Sequence, residues 1–212
     1  MRRFWLLLVV LVLTMAVAGC GRKRKVVQKA PPPVVEEMIE EEEIDPKFLA
    51  DQQIVREVLA QEHTWDRNPT VIVVHKQTRQ MSVFKGTKPL KMYPVVLGHN
   101  PRNDKLVQGD RCTPEGVYRV VTKYPHPKWS KFILLNYPNK KNWLKFAEAK
   151  RRGQIPWDAQ IGGDIGIHGT ESDYKNTLGE NWTFGCVALK NRDINELYRL
   201  VETGSIVVIQ RQ

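Results

Sequence analysis

Hydrophobic and polar positions divide this chain into stretches of different character. Phe4 to Ala18 is apolar apart from Thr14 and stands directly behind Arg2 and Arg3. From Gly21 to Asp45 the apolar positions lose any period. A basic run (Arg22, Lys23, Arg24, Lys25, Lys29) is followed by Pro31-Pro32-Pro33 and then by an acidic run (Glu36, Glu37, Glu40 to Glu43, Asp45). Segregated charge around prolines buries nothing, so residues 20–45 read as a tether. Asp45-Pro46 then supplies an N-cap and a first-turn proline. Phe48, Val55, Val58 and Leu59 follow at helical spacing, which predicts a short amphipathic helix over 46–63. That helix either packs on the downstream domain or extends the tether.

The globular part is expected over 69–212, long enough for one domain with its own core. Val71 to His75 and Met81 to Lys85 are β-prone runs around a polar turn, the pattern of a hairpin. Met92 to Leu97 predicts a third strand, which Pro94 confines to an edge or a bulge. Gly98 to Gly116 has no period, and loops of that length in a compact domain usually carry function. Further strands are expected at Val117 to Lys123, Phe132 to Asn136, Ile161 to His168 and Ile206 to Ile209. Lys141 to Arg152 reads as a helix closed by Gly153. A second helix is expected with Asn191 as its cap and Ile194, Leu197, Tyr198 and Val201 on its packed face. Many strands, few helices and no βαβ alternation predict a mostly β domain with one or two packed helices.

The formal net charge is +10, and from Thr64 onward 24 Lys and Arg stand against 13 Asp and Glu, a net +11. In a cytosolic protein this would point to nucleic acid. The N-terminus redirects that reading. The apolar run is shorter than the roughly 20 residues of a spanning helix and has the form of an export signal over 1–19. Val17-Ala18-Gly19-Cys20 resembles a bacterial lipobox, which implies cleavage before Cys20 and its lipidation. Acyl chains at about 0.8 kcal/mol per buried CH2 make a stable membrane anchor. The polyanions expected outside the cytoplasm are phospholipid head groups, envelope polymers and peptidoglycan stem carboxylates, so no nucleic-acid partner is expected.

Two cysteines remain, Cys112 and Cys186, and in an oxidising compartment a disulfide is their structural alternative. The segment IGIHGTESDYKNTLGENWTFGCVALKNRD offers chemistry instead. A thiol is mostly protonated at neutral pH and needs a base, and an imidazole needs a partner to fix its tautomer. His168 supplies the base and Cys186 the nucleophile. Gly185 before the cysteine permits close backbone approach, and the N–H groups of Gly185 and Cys186 are offered to an oxyanion. Zinc is the remaining alternative, but no CxxC or HxxxH pair occurs, and neither metal nor cofactor is expected. His75, His99 and His126 have no evident partners and read as structural or exposed.

The stretch from His168 to Asn191 resembles the signature of the L,D-transpeptidase catalytic domain. Thr183, Gly185, Cys186 and Val187 form its Ser/Thr-x-Gly-Cys-apolar core, fifteen positions after His168, and Asn191 follows. Supporting matches are the Gly109-Asp110-Arg111-Cys112-Thr113-Pro114-Glu115-Gly116 loop and the run from Gly163 to Gly169; the similarity spans roughly Pro69 to Gln212. The resemblance implies a β-sandwich-like core acting on peptidoglycan stem peptides. Cys186 would form a thioester at the L-centre of the third stem residue, His168 would act as base and then acid, and the Gly169 carbonyl would orient the imidazole. Two positions depart from the pattern: Phe184 stands where many relatives carry histidine, and Ala188 where many carry arginine. Thr183, Lys105, Arg111 and Lys190 are then the candidates for contacting substrate. Hydrolysis of the same kind of bond, and a non-catalytic wall-binding role, stay open. A reversible Cys112–Cys186 disulfide is a further expectation.

Overall fold

The computed structural model describes residues 46–64 and 67–211, the side chain of Lys47 excepted. The expected leader, Cys20 and the tether to residue 45 lie outside the described residues. After a 3-10 turn at Pro46–Phe48, helix α1 spans Leu49–Gln61. Strands β1 (Thr70–His75), β2 (Gln80–Lys85), β3 (Lys88–Pro94), β4 (Gly116–His126) and β5 (Ser130–Leu135) come next, then α2 (Lys140–Arg151), β6 (Gly166–His168), α3 (Asp173–Leu178), β7 (Val187–Ala188), α4 (Asn191–Leu200) and β8 (Ile206–Gln210). The eight strands form one sheet in the order β3-β2-β1-β8-β4-β5-β6-β7.

The centre of the sheet explains the continuous apolar run at 71–74. β1 pairs antiparallel with β2 and parallel with β8, and its side chains alternate between two cores. Ile72, Val74, Met81, Val83, Val207 and Ile209 face the larger core, shared with Tyr118, Ile133, Ile167, Ile194 and Leu197. Val71, Val73, Phe84, Ile206 and Val208 face the other side, where Phe48, Val55, Val58 and Leu59 of the N-terminal helical segment cover them. A strand buried on both faces has no polar positions to alternate. Helix α1 is thus docked on the sheet. Each of its three buried apolar side chains, Val55, Val58 and Leu59, contributes at most about 1.5–3 kcal/mol by burial. Buried Asp51 adds a short hydrogen bond to His75, and Arg119 pairs with Glu62. His75 therefore has a partner, contrary to the expectation from sequence.

Three expected elements are displaced. β3 begins at Lys88, just after the Gly86 turn, and ends at Pro94, which cannot donate to a ladder; it lies at the sheet edge and is itself bulged, since Val83 and Phe84 of β2 pair with Lys91 and Pro89 and leave Leu90 over. Val95 still donates to Arg79 O, but Val96 and Leu97 turn away to a different partner: Val96 exchanges both backbone bonds with Ala188, at 2.9 and 2.8 Å. The expected strand over 161–168 contracts to Gly166–His168, because Gly162 (φ 79°) and Asp164 (φ 55°) break the ladder before it. Lys190, not Asn191, is the N-cap of α4 and makes no side-chain cap. The asparagine is used elsewhere.

Candidate active site

β5 pairs antiparallel with β6, setting Phe132 opposite His168 and Leu134 opposite Gly166. A Cβ at Gly166 would stand 2.5 Å from the Phe132 ring and 2.6 Å from Ile133 O, so only glycine lets β6 lie this close. His168 at the end of β6 is buried in an aromatic cage. Its ring stacks on half-buried Trp129 at 4.3 Å, lies parallel to Phe132 at 5.7 Å and meets Trp182 edge-on at 5.6 Å. His126 also stacks on Trp129, at 4.4 Å. Nδ1 of His168 lies 2.6 Å from Gly169 O. A carbonyl can only accept, so Nδ1 carries the proton and Nε2 holds the free lone pair. Burial drives the His168 pKa down to about 4; the Gly169 carbonyl works the other way and His126 adds to the depression.

The carbonyl that orients the ring is itself fixed. Gly169 N–H donates to Trp129 O at 3.0 Å. In the next residue, Thr170 N–H donates to Asn191 Oδ1 at 3.0 Å, and Asn191 Nδ2 donates to Thr170 O at 2.8 Å. A side chain at Gly169 would strike Asn191 Oδ1 at 2.3 Å and Trp129 O at 2.5 Å. Trp129 thus holds both the face of the imidazole and the turn behind it.

Cys186 arrives on an independent scaffold. Thr183 is bridged to the 97–99 backbone, with Thr183 N–H donating to Leu97 O at 3.2 Å and His99 N–H to Thr183 O at 3.0 Å. Its hydroxyl donates to Cys186 O at 2.7 Å and accepts the Gly185 N–H at 3.2 Å. Gly185 has φ 141°, and a Cβ there would stand 2.7 Å from Cys112 O. β7 runs parallel to β6 with Ala188 opposite His168. Carrying the pleat back two residues puts Cys186 on the His168 side of the sheet. The partly exposed thiol donates to Asp164 O at 3.6 Å. Burial pushes its pKa up to about 11, against the Gly166 N–H and the Lys105 charge, which lower it. The resting pair is therefore neutral thiol and neutral imidazole.

The residues singled out in the sequence separate at this point. Thr183, expected to meet substrate, is buried and spends its hydroxyl on the nucleophile turn. The Gly185 N–H, expected to face an oxyanion, is engaged by Thr183; the Cys186 N–H has no hydrogen-bond partner among the described residues. Lys105 lines a cleft of about 310 Å³ with Gln108, Asp164, Ile165 and Phe184, but its buried ammonium is tied to Asp110 at 2.9 Å and Val107 O at 3.2 Å. Asp110 organises that loop. Burial alone would raise its pKa, but N–H groups of Cys112, Leu106 and Val107 together with Lys105 hold it below the usual carboxylate value. Exposed Arg111 sits over the exposed Phe184 ring at 5.5 Å, at the rim. Lys190 stands at the N-cap of α4 and does not line the cleft. Ala188 is fully buried in the sheet. Cys112 and Cys186 are separate thiols, and buried Cys112 directs its sulfur at Asp110 O, 3.4 Å away. His99 packs edge-on to Phe184. Trp129, Trp182 and Asp164 are the site residues that sequence reasoning left out.

Residues 69–209 match the model of the L,D-transpeptidase catalytic domain (YkuD) family. A Bacillus licheniformis protein named "Putative L,D-transpeptidase YkuD" is 25% identical over 144 residues, covering 68% of this chain and 67% of that one. Among solved structures, the helical cell shape determining protein Pgp2 of Campylobacter jejuni superposes with a TM-score of 0.52 at 23% identity, over 68% of this chain and 48% of that one. Bd1075 of Bdellovibrio bacteriovorus gives a TM-score of 0.48 at 24% identity, over 68% and 48%. This chain thus spans about half the length of those two solved proteins. With two thirds of its length inside the family model and the same mostly β sheet, the chain belongs to the L,D-transpeptidase catalytic domain family.

Proposed function

We propose that this protein is a peptidoglycan L,D-transpeptidase with Cys186 as nucleophile and His168 as general base. The observation that carries the reading is the locked imidazole. Nδ1–H is held by the Gly169 carbonyl, so the lone pair of Nε2 is available on the side of the sheet where Cys186 stands. As Sγ attacks the carbonyl of the third stem residue, its proton passes to Nε2 and the oxyanion forms near the Cys186 N–H. Collapse returns that proton to the departing amine of D-alanine and leaves a thioester on Sγ. An acceptor amine then attacks, His168 takes its proton, and the thiol leaves with the acyl group joined to the amine. The acceptor is a neighbouring stem for a 3→3 crosslink, a protein amine or a free D-amino acid. Since both groups rest neutral, the proton moves with the attack and not before it.

A second reading, hydrolysis through the same thioester, is favoured by Ala188: this position is buried in the sheet and offers no cation to an acceptor carboxylate. Incubating the protein with tetrapeptide muropeptides and reading masses separates the two. Crosslinked dimers support transpeptidation, monomers shortened by D-alanine support hydrolysis, and no change with either Cys186 or Cys186→Ala would sink both. The lipobox-like Cys20 supports an anchored, extracytoplasmic enzyme. An acylated Cys20 peptide in the membrane fraction is the expected result, and an unmodified N-terminus in the soluble fraction would reverse it.

A further inference from the structure

A second cleft opens beside the one next to Cys186. The two share Gln108, Gly162 and Gly163, and their walls are joined by the Gln108 N–H donating to Gln160 O at 2.7 Å. Gly162 keeps the junction open: its φ is +79°, and a Cβ there would lie 3.3 Å from Gln108 Cβ. The outer cleft encloses about 540 Å³ and is floored by Trp143 and Phe146 of α2 and by Ile161. Its surroundings leave aromatic surface in water, with Trp157 82% and Trp143 52% exposed. Lys150 links the two sides, its Nζ 4.8 Å from the Phe146 ring centroid and 5.5 Å from that of Trp157. The other polar side chains of the lining are the neutral amides of Gln108 and Gln160, and no carboxylate lines it.

An exposed indole that lines a groove continuous with the cleft beside the nucleophile, with a second indole beyond Lys150, is the kind of concave surface a ligand fills. The lining narrows the chemistry. One ammonium does not make a site for a polyanion, and the amides interrupt what an acyl chain would need. Flat C–H faces flanked by hydroxyl and amide groups fit best: pyranose rings bearing N-acetyl substituents, stacked on the indoles and hydrogen-bonded to glutamine and lysine. We propose that the cleft floored by Trp143, with Trp157 flanking it beyond Lys150, holds the N-acetylated glycan strand to which the stem peptide is attached, while the peptide enters the cleft beside Cys186. The inference rests on the transpeptidase reading for the identity of the peptide, and on the cleft alone for the saccharide.

The test uses the full chain in detergent and two independent readouts. Tetra-N-acetylchitotetraose, which carries no peptide, is titrated by calorimetry and tryptophan fluorescence. The ratio of kcat/KM for disaccharide-tetrapeptide to that for free tetrapeptide is measured separately. The saccharide should bind and quench the indoles, and Trp143→Ala with Trp157→Ala should weaken it about tenfold, about 1.4 kcal/mol. The same double variant should bring kcat/KM for disaccharide-tetrapeptide down to the value the unchanged chain shows for free tetrapeptide. Trp143→Ala alone, at the indole that lines the cleft, serves if the double variant does not fold. Absence of saccharide binding, or binding that survives both substitutions, overturns the proposal. Tryptophan-dependent saccharide binding without turnover of either peptide would keep the cleft and discard the transpeptidase reading. Equal turnover of both peptides with no saccharide binding would do the reverse.

Discussion

The aromatic cage around His168 has a consequence for stability that can be measured without substrate. The imidazole is 1% exposed, and its pKa falls to about 4 from an unfolded value of 6.5. Above pH 6.5 the ring is neutral in both states and contributes no pH dependence. Between the two values the unfolded chain binds a proton that the folded chain refuses, so stability is lost as pH falls toward the folded pKa. The difference between the two pKa values corresponds to about 3 kcal/mol once the pH is below both. The perturbation is His168→Gln, which leaves a neutral amide to face the Gly169 carbonyl. Urea unfolding of parent and variant, measured at intervals from about pH 7.5 to about pH 3.5, gives a difference curve in which the constant cost of the substitution drops out. The other histidines are common to both chains and drop out of the difference. The parent should lose about 3 kcal/mol relative to the variant across that window. A flat difference curve would mean that His168 titrates as an ordinary imidazole, and the inference that its cage holds the ring neutral well into the acid range would fall with it.

Other perturbations test the supports one at a time. Trp129→Ala opens one face of the imidazole to water, so the acid limb of the kcat/KM profile for tetrapeptide should climb from near 4 toward 6.5; a limb that stays in place would deny Trp129 its positioning role. Thr183→Val leaves the buried Gly185 N–H and the Cys186 carbonyl without their partner, a loss of about 1–3 kcal/mol by denaturant unfolding with reduced turnover; Thr183→Ser should restore most of both. Leu59→Ala, in the helix docked outside the family region, should cost about 2–5 kcal/mol by thermal or urea unfolding; a negligible change would show that α1 is not part of the folded unit.

What the sequence displayed well was whatever a local pattern encodes. The β1–β2 hairpin, the helical face of Ile194, Leu197 and Val201, and the long 98–116 loop were readable because each rests on contacts a few residues apart or on the absence of period. Elements decided by distant partners were misplaced. Val96 and Leu97 have β propensity and do form backbone bridges, but to residues 183 and 188, across ninety positions of chain. The α1 face was visible, yet nothing in its spacing said that Val71, Val73, Ile206 and Val208 would offer a second hydrophobic surface to receive it.

The site divides along the same line. His168, Gly185 and Cys186 stand out because glycine beside a histidine or a thiol is a local oddity with a local reason. The groups that would make them useful come from elsewhere, brought in by a sheet that places β5 beside β6 and β6 beside β7. Trp129 sits in a turn between two strands, where an aromatic residue reads as incidental surface until β5 folds it onto His168. Asn191 reads as a helix cap because asparagine before an apolar period usually is one. Its amide is instead spent on both backbone groups of Thr170, one residue after the carbonyl that sets the imidazole tautomer. Losing a cap would leave α4 frayed, and losing this clamp would leave Gly169 free to turn. The asparagine therefore acts on His168, although it belongs to the helix that comes after the cysteine.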